Sequence, residues 1–139
     1  MISDLILAGI IVLGFGILFQ APKKSLPFLA FTGFISFSVF SLLSTNHLFA
    51  IFIASLSVGV CSEVFARVMK LPATVFIISG IIPLVPGIPA YNAIFHLLNE
   101  DYIDGVNASV DTLLSGGAIA LAIAITTTLA RSYKKRNKQ

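Results

Sequence analysis

The chain has 139 residues, 57% of them hydrophobic and 11% charged, with a mean hydropathy of +0.98, whereas ordinary soluble domains are about 45–50% apolar and about 25% charged. This composition excludes a soluble enzyme and a disordered segment, and the lone Cys61 excludes an internal disulfide framework. The net charge of +3 has to be read through the placement of nine cations against a bilayer, not as a nucleic-acid footprint.

A helix needs about 20 mainly apolar residues to cross roughly 30 Å of hydrocarbon, and five such stretches follow one another. The first covers 5–19 and stops at Gln20-Ala21-Pro22-Lys23-Lys24. Its leader, Met1-Ile2-Ser3-Asp4, holds no cation and no A-x-A-like cleavage site follows, so it is expected to be retained as a helix. The second covers 26–44 and closes at the polar turn Thr45-Asn46-His47. The third covers 48–65 and leaves the membrane at Arg67 and Lys70. The fourth, 73–98, starts after Leu71-Pro72, and Asn99-Glu100-Asp101-Tyr102-Ile103-Asp104-Gly105 ends it. The fifth covers 106–130, ahead of a basic tail at 131–139. The expected fold is a single all-α integral membrane domain of five transmembrane helices, the fourth discontinuous at a Pro/Gly-rich break.

With five spans, Lys23, Lys24, Arg67, Lys70, Arg131, Lys134, Lys135, Arg136 and Lys138 all fall on one side. Asp4, the 45–47 turn, Glu100, Asp101 and Asp104 fall on the other. The positive-inside rule then sets the N-terminus outside and the C-terminus in the cytoplasm. The expected location is a bacterial cytoplasmic (inner) membrane, with the tail as a topology anchor that touches anionic membrane lipid; no nucleic-acid partner is expected.

Pro83, Pro86 and Pro89 interrupt the fourth span at intervals of three, with Gly80 and Gly87 beside them. Each proline removes an amide donor and crowds the carbonyl four residues back, so the chain from Pro83 to Pro89 is expected to be extended. Pro89 suits the first position of a new half-helix, whose free amides at Ala90, Tyr91 and Asn92 then carry the positive end of a helix dipole at membrane depth. Pro86, Gly87, Pro89, Ala90, Tyr91 and Asn92 are therefore the candidate substrate-binding segment for a carboxylate, a device of secondary transporters. The alternative is a proline kink that only lets helices pack.

Asp111 is the second candidate, six residues into the fifth span and about 9 Å below its outer edge. A carboxylate at that depth is costly in lipid, so it is expected to face the bundle interior and to bind a substrate ammonium or carry a coupling proton. If the helix starts later, Asp111 is instead a loop or cap residue. Asn107 shares its face one turn earlier. Glu63 and Arg67, spaced i, i+4, read as an interfacial ion pair, with a cytoplasmic gate as the functional alternative. His47 reads as a turn residue and His96 as a half-helix residue near the outer surface. Neither has a Cys, an Asp or a second His at ligand spacing, so no metal and no cofactor is expected.

Thr112, Gly116, Ala120 and Ala124 repeat every four residues, as do Ser55 and Gly59, and both sets read as helix-packing seams. Phe28, Phe31, Phe34, Phe37 and Phe40 recur every three residues and face lipid or a neighbouring helix. No nucleotide-binding loop, nucleophile elbow or metalloprotease helix is present, which argues against ATP-driven transport by this chain and against a membrane hydrolase.

The run Ile82-Pro83-Leu84-Val85-Pro86-Gly87-Ile88-Pro89-Ala90-Tyr91-Asn92-Ala93, an acidic outer loop, and Ser115-Gly116-Gly117-Ala118-Ile119-Ala120 in the last helix resemble the threonine/serine exporter family, specifically its small five-span subunit. The resemblance implies a larger partner subunit of the same family that supplies the first half of the exporter. It also implies proton-driven efflux of small hydroxy amino acids, with dicarboxylate (succinate-like) export in some small-subunit relatives. Both substrates present a carboxylate, and the absence of an intramembrane cation here favours the amino acid. A non-catalytic assembly subunit, or a self-assembled channel, is the rival reading.

Overall fold

In the computed structural model, residues 2–43 and 45–136 are described, with side chains for 3–43 and 45–132. Helix accounts for 88% of the structure, and no strand occurs among the described residues. The described residues form six α-helices in order: α1 (Ile2–Leu18), α2 (Leu26–Leu42), α3 (His47–Met69), α4 (Ala73–Ile81), α5 (Gly87–Leu98) and α6 (Tyr102–Arg136). Short 3-10 turns occupy Lys23–Ser25 and Ile82–Leu84.

Three helices end in the same way. Gln20 (φ 56°), Lys70 (φ 55°) and Glu100 (φ 64°) adopt the left-handed conformation. The next residue then donates to a carbonyl five positions back: Ala21 to Gly16 (2.8 Å), Leu71 to Ala66 (3.0 Å) and Asp101 to His96 (2.9 Å). This is the Schellman closure, which reverses the chain within two or three residues. At the start of α3, the Asn46 side chain accepts from the Phe49 amide at 3.3 Å, so His47 is the first helical residue and not part of a turn. Arg67, expected beyond the third span, lies in the last turn of α3.

Lys23–Leu42, His47–Met69 and Tyr102–Ser132 are each long and apolar enough to cross a membrane, and Ala73–Leu84 with Gly87–Leu98 form a fourth, bent unit. At 17 residues α1 is shorter, about 26 Å long. By contrast α6 runs for 35 residues, about 53 Å, well beyond the roughly 30 Å hydrocarbon layer. It absorbs both the end of the acidic loop and the start of the basic tail, of which 137–139 lie outside the described residues.

α1 packs on α2, α2 on α3, α3 on α6 and α6 on α5, while α4 sits against α3, α2 and α1. Small hydroxyl side chains share the interior with apolar ones, and large apolar side chains cover the outside. Ser25, Thr32, Ser36, Ser55, Ser62, Ser79, Ser115 and Thr126 are buried, whereas Ile6, Leu7, Ile10, Leu113 and Leu121 are exposed. Lipid explains this arrangement, because close helix approach needs small residues and an apolar outer face has no water to avoid. Gly59 meets Thr126 so closely that an added Cβ would overlap its Oγ1, and a Cβ on Gly80 would lie 2.6 Å from Thr32 Cγ2.

One core cluster joins Ile51, Ala54, Val58, Leu84 and Ile119 under the helix break. A second joins Val12, Leu29, Ala66 and Phe76, with Ala21, Met69 and Leu71 beside it, and so gathers the Lys23–Lys24 and Arg67–Lys70 segments at one end of the bundle. The phenylalanines of α2 wind around the helix, since a three-residue spacing drifts by about 60° per step. Phe28 and Phe31 meet Phe65 (5.1 and 6.1 Å between centroids), and Phe40 meets His47 (5.7 Å).

Candidate functional site at the helix break

The break is more compact than the extended run expected from three prolines. Ile82–Leu84 forms a 3-10 turn, and the Val85 amide donates to Ile82 O at 3.2 Å. Val85 alone is extended (φ −62°, ψ 128°). Pro86 (φ −75°, ψ 63°) is the centre of an inverse γ-turn, closed by Gly87 N donating to Val85 O at 2.8 Å. α5 then starts at Gly87, two residues earlier than expected, and departs at 56° from α4.

This changes the amide inventory. Ala90 N donates to Pro86 O at 3.1 Å, and Tyr91 and Asn92 lie past the first turn, where the helix takes up their amides. Pro89 falls in that first turn, where a missing donor costs nothing. Among the described residues, Ile88 is the first-turn residue whose amide has no backbone acceptor outside or before the helix. The anion-binding capacity of this terminus is thus one amide and a dipole, not the three amides expected at 90–92.

Pro83 through Pro89 wall one side of a hollow of about 140 Å³ whose other side is Phe40, His47 and Ile51. Because His47 opens α3, the hollow sits at the α2–α3 turn end of the bundle. Its imidazole, held edge-on against Phe40, is the one titratable side chain among the described residues that line the hollow. A turn-residue reading of His47 misses this, since nothing local marks the 36-residue separation from Pro83 as a contact.

α5 and α6 pack antiparallel from their tight corner, with Gly105 against Leu97 at a spacing that leaves no room for a Cβ. Counting six residues along each helix puts Asp111 at the level of Tyr91. Asp111 is exposed, as are Asn107 and Tyr91, while Asn92 is half-buried. The carboxylate does not point into the interior of this chain, contrary to expectation. It is also no cap or loop residue, because it stands nine residues, about 14 Å, from the start of α6.

The Thr112, Gly116, Ala120, Ala124 seam likewise turns outward past Thr112: Gly116, Gly117, Ala120 and Ala124 are exposed, and nothing lies within 4 Å of a Cβ placed on either glycine. α6 packs on α3 through Ser115, Ile119, Ala122 and Thr126 instead, and the Ser55, Gly59 seam of α3 faces it as expected.

Glu63 and Arg67 line a second hollow of about 320 Å³ between α3 and α6, with Val60, Val64, Thr126 and Leu129. Arg67 Nη2 donates to Ala130 O at 3.5 Å. This hollow lies about 20–30 Å along α3 from His47, at the cationic end.

An apolar, all-helical bundle with polar residues inside, three full-length apolar helices and a bent fourth unit defines a multi-pass membrane protein. Residues 4–129 match the family described as Threonine/Serine exporter, ThrE. The chain belongs to the threonine/serine exporter family, a family of transporters. No solved structure matches it.

Proposed function

We propose that this chain forms half of a proton-coupled export pathway for threonine and serine, the other half coming from a larger subunit of the same family. The observation that carries the reading is Asp111: an exposed carboxylate partway along an apolar helix, beside a bare face of Gly116, Gly117, Ala120 and Ala124. Such a group is costly against lipid and needs protein or an aqueous path over it. A face of small residues is the surface that admits another helix closely. In this reading the partner covers that face, and Asp111 lines the pathway as the site for the substrate ammonium or the coupling proton. The Pro86 to Asn92 segment meets the substrate carboxylate through the Ile88 amide, the α5 dipole and the side chains of Tyr91 and Asn92. Glu63 and Arg67 form the cytoplasmic gate.

The same reading takes α1 as a fifth, short span, with the N-terminus outside, the C-terminus in the cytoplasm and the protein in a bacterial inner membrane. The deciding experiment is efflux of labelled threonine or serine from cells that express this chain with and without the larger subunit, across an imposed proton gradient. Flux that requires both chains and falls at least tenfold in Asp111→Asn is the expected result. Normal flux in Asp111→Asn with normal assembly would falsify the assignment, and succinate flux in place of amino-acid flux would transfer it to dicarboxylates.

A further inference from the structure

The corner between α5 and α6 gathers three ligand-type side chains that neither helix holds alone. His96 comes from the last turn of α5, Asp101 is the residue immediately before α6, and Asp104 is in the first turn of α6. One ring nitrogen of His96 and one carboxylate oxygen from each aspartate lie within 4.8 Å of one another. His96 Nδ1 is 3.3 Å from Asp101 Oδ2. Ligand atoms that share one ion at bonds of about 2.0–2.2 Å are roughly 3–4 Å apart, so small side-chain rotations close the remaining gap.

The scaffold under these three is stiff. Asp101 N donates to His96 O at 2.9 Å and Gly105 N to Asp101 O at 3.0 Å. A Cβ at Gly105 would sit 2.8 Å from Leu97 Cγ, so the two helices are in backbone-close contact beside the cluster. The field is negative as well. Glu100 adds a third carboxylate to the same corner, whereas Lys23, Lys24, Arg67, Lys70 and Arg131 belong to the opposite end of the bundle.

We propose that His96, Asp101 and Asp104 form a binding site for a divalent first-row transition-metal ion that clamps α5 to α6. The donor set selects this class. A nitrogen donor disfavours Ca²⁺ and Mg²⁺, which take oxygen ligands, and two carboxylates beside one imidazole suit a borderline ion such as Zn²⁺, with water completing its shell. Helix capping accounts for each residue singly, since acids suit the start of α6 and a histidine suits the end of α5. It does not require their donor atoms to converge. The sequence spacing H-x4-D-x2-D conceals the site, because the ligands become neighbours only through the left-handed turn at Glu100.

The test uses the full chain in detergent, in a Cys61→Ser background so that no thiol competes, titrated with Zn²⁺ against a chelating indicator. The expected result is one Zn²⁺ per chain and a melting temperature raised by the ion. Affinity should fall roughly tenfold or more in each of His96→Ala, Asp101→Asn and Asp104→Asn, and remain unchanged in His47→Ala. Asp101→Asn is the decisive variant, since asparagine caps a helix as well as aspartate does and its fold is retained. No Zn²⁺ bound by the parent chain would overturn the proposal, and so would the same affinity in parent and Asp101→Asn with melting unmoved by the ion, which would mean an adventitious ion only.

Discussion

The hydroxyls of Ser36, Ser55 and Ser62 are fully buried and have no hydrogen-bond partner among the described residues, while Thr32, Ser79 and Thr126 donate to the carbonyl one turn back at 2.8, 3.1 and 3.1 Å. An unmade buried hydrogen bond costs about 1–3 kcal/mol. Ser36→Ala and Ser62→Ala are therefore expected to leave thermal stability in detergent unchanged or raised by up to about 1 kcal/mol, whereas Ser79→Ala should lower it by about 1 kcal/mol. A loss in Ser36→Ala as large as that in Ser79→Ala would reveal a partner for its hydroxyl. Gln20 holds a left-handed conformation without being glycine. Gln20→Gly is expected to stabilise by about 0.5–1 kcal/mol, read as a higher melting temperature. At this scale the sequence picked out Asp111 as an acid within an apolar helix, but not the direction it faces. His47 had no signal at all, since its role depends on a hollow shared with residues 36 or more positions away.

Among the helices, hydropathy was sufficient to place α2, α3 and α6, because a long apolar run bounded by charges leaves one outcome in a bilayer. The three prolines told where the fourth unit breaks but not how. Prolines forbid a continuous helix, yet a 3-10 turn and one γ-turn satisfy more carbonyls than an extended strand would, and a membrane penalises every unsatisfied one. The two small-residue seams have opposite fates, and this gives a paired prediction. Gly59→Ala pushes a methyl into Thr126 between two packed helices and should destabilise by about 1–3 kcal/mol. A Cβ at Gly116 has no described atom within 4 Å, so Gly116→Leu should change the stability of the isolated chain by no more than about 0.5 kcal/mol, read from its melting temperature. It should nonetheless abolish copurification with the larger subunit. Retained copurification in Gly116→Leu would remove the α6 face from the proposed partner interface.

Over the whole molecule, Lys23, Lys24, Arg67, Lys70 and Arg131 gather at one end of the bundle, with Glu63 among them, and Glu100, Asp101 and Asp104 lie at the other. The second core cluster draws the α1–α2 and α3–α4 connections together, and Arg67 reaches the backbone of α6 at Ala130, so these three segments share one end. The proposed orientation follows from that charge separation and is open to direct labelling in a Cys61→Ser background. Asn46→Cys should react with a membrane-impermeant maleimide in intact cells, and Lys24→Cys only after permeabilisation. The opposite pattern would invert the topology and with it the direction assigned to the pathway. Among the described residues, the cations lie at the other end from His96, Asp101 and Asp104, so the metal site proposed above depends on membrane topology as much as on local chain geometry.

What the sequence determined by itself was the membrane class, the position of the break and the exporter family. Each of these is carried by local composition or by residues adjacent along the chain. The tertiary structure alone decided which way Asp111 and the Gly116 face turn, that His47 lines the hollow at the break, and that His96 meets two aspartates across a corner. The physical reason is common to all three. In lipid the outer face of a helix is as apolar as its packed face, so the periodicity that reveals facing in water is largely erased, and only packing against neighbouring helices fixes the rotation.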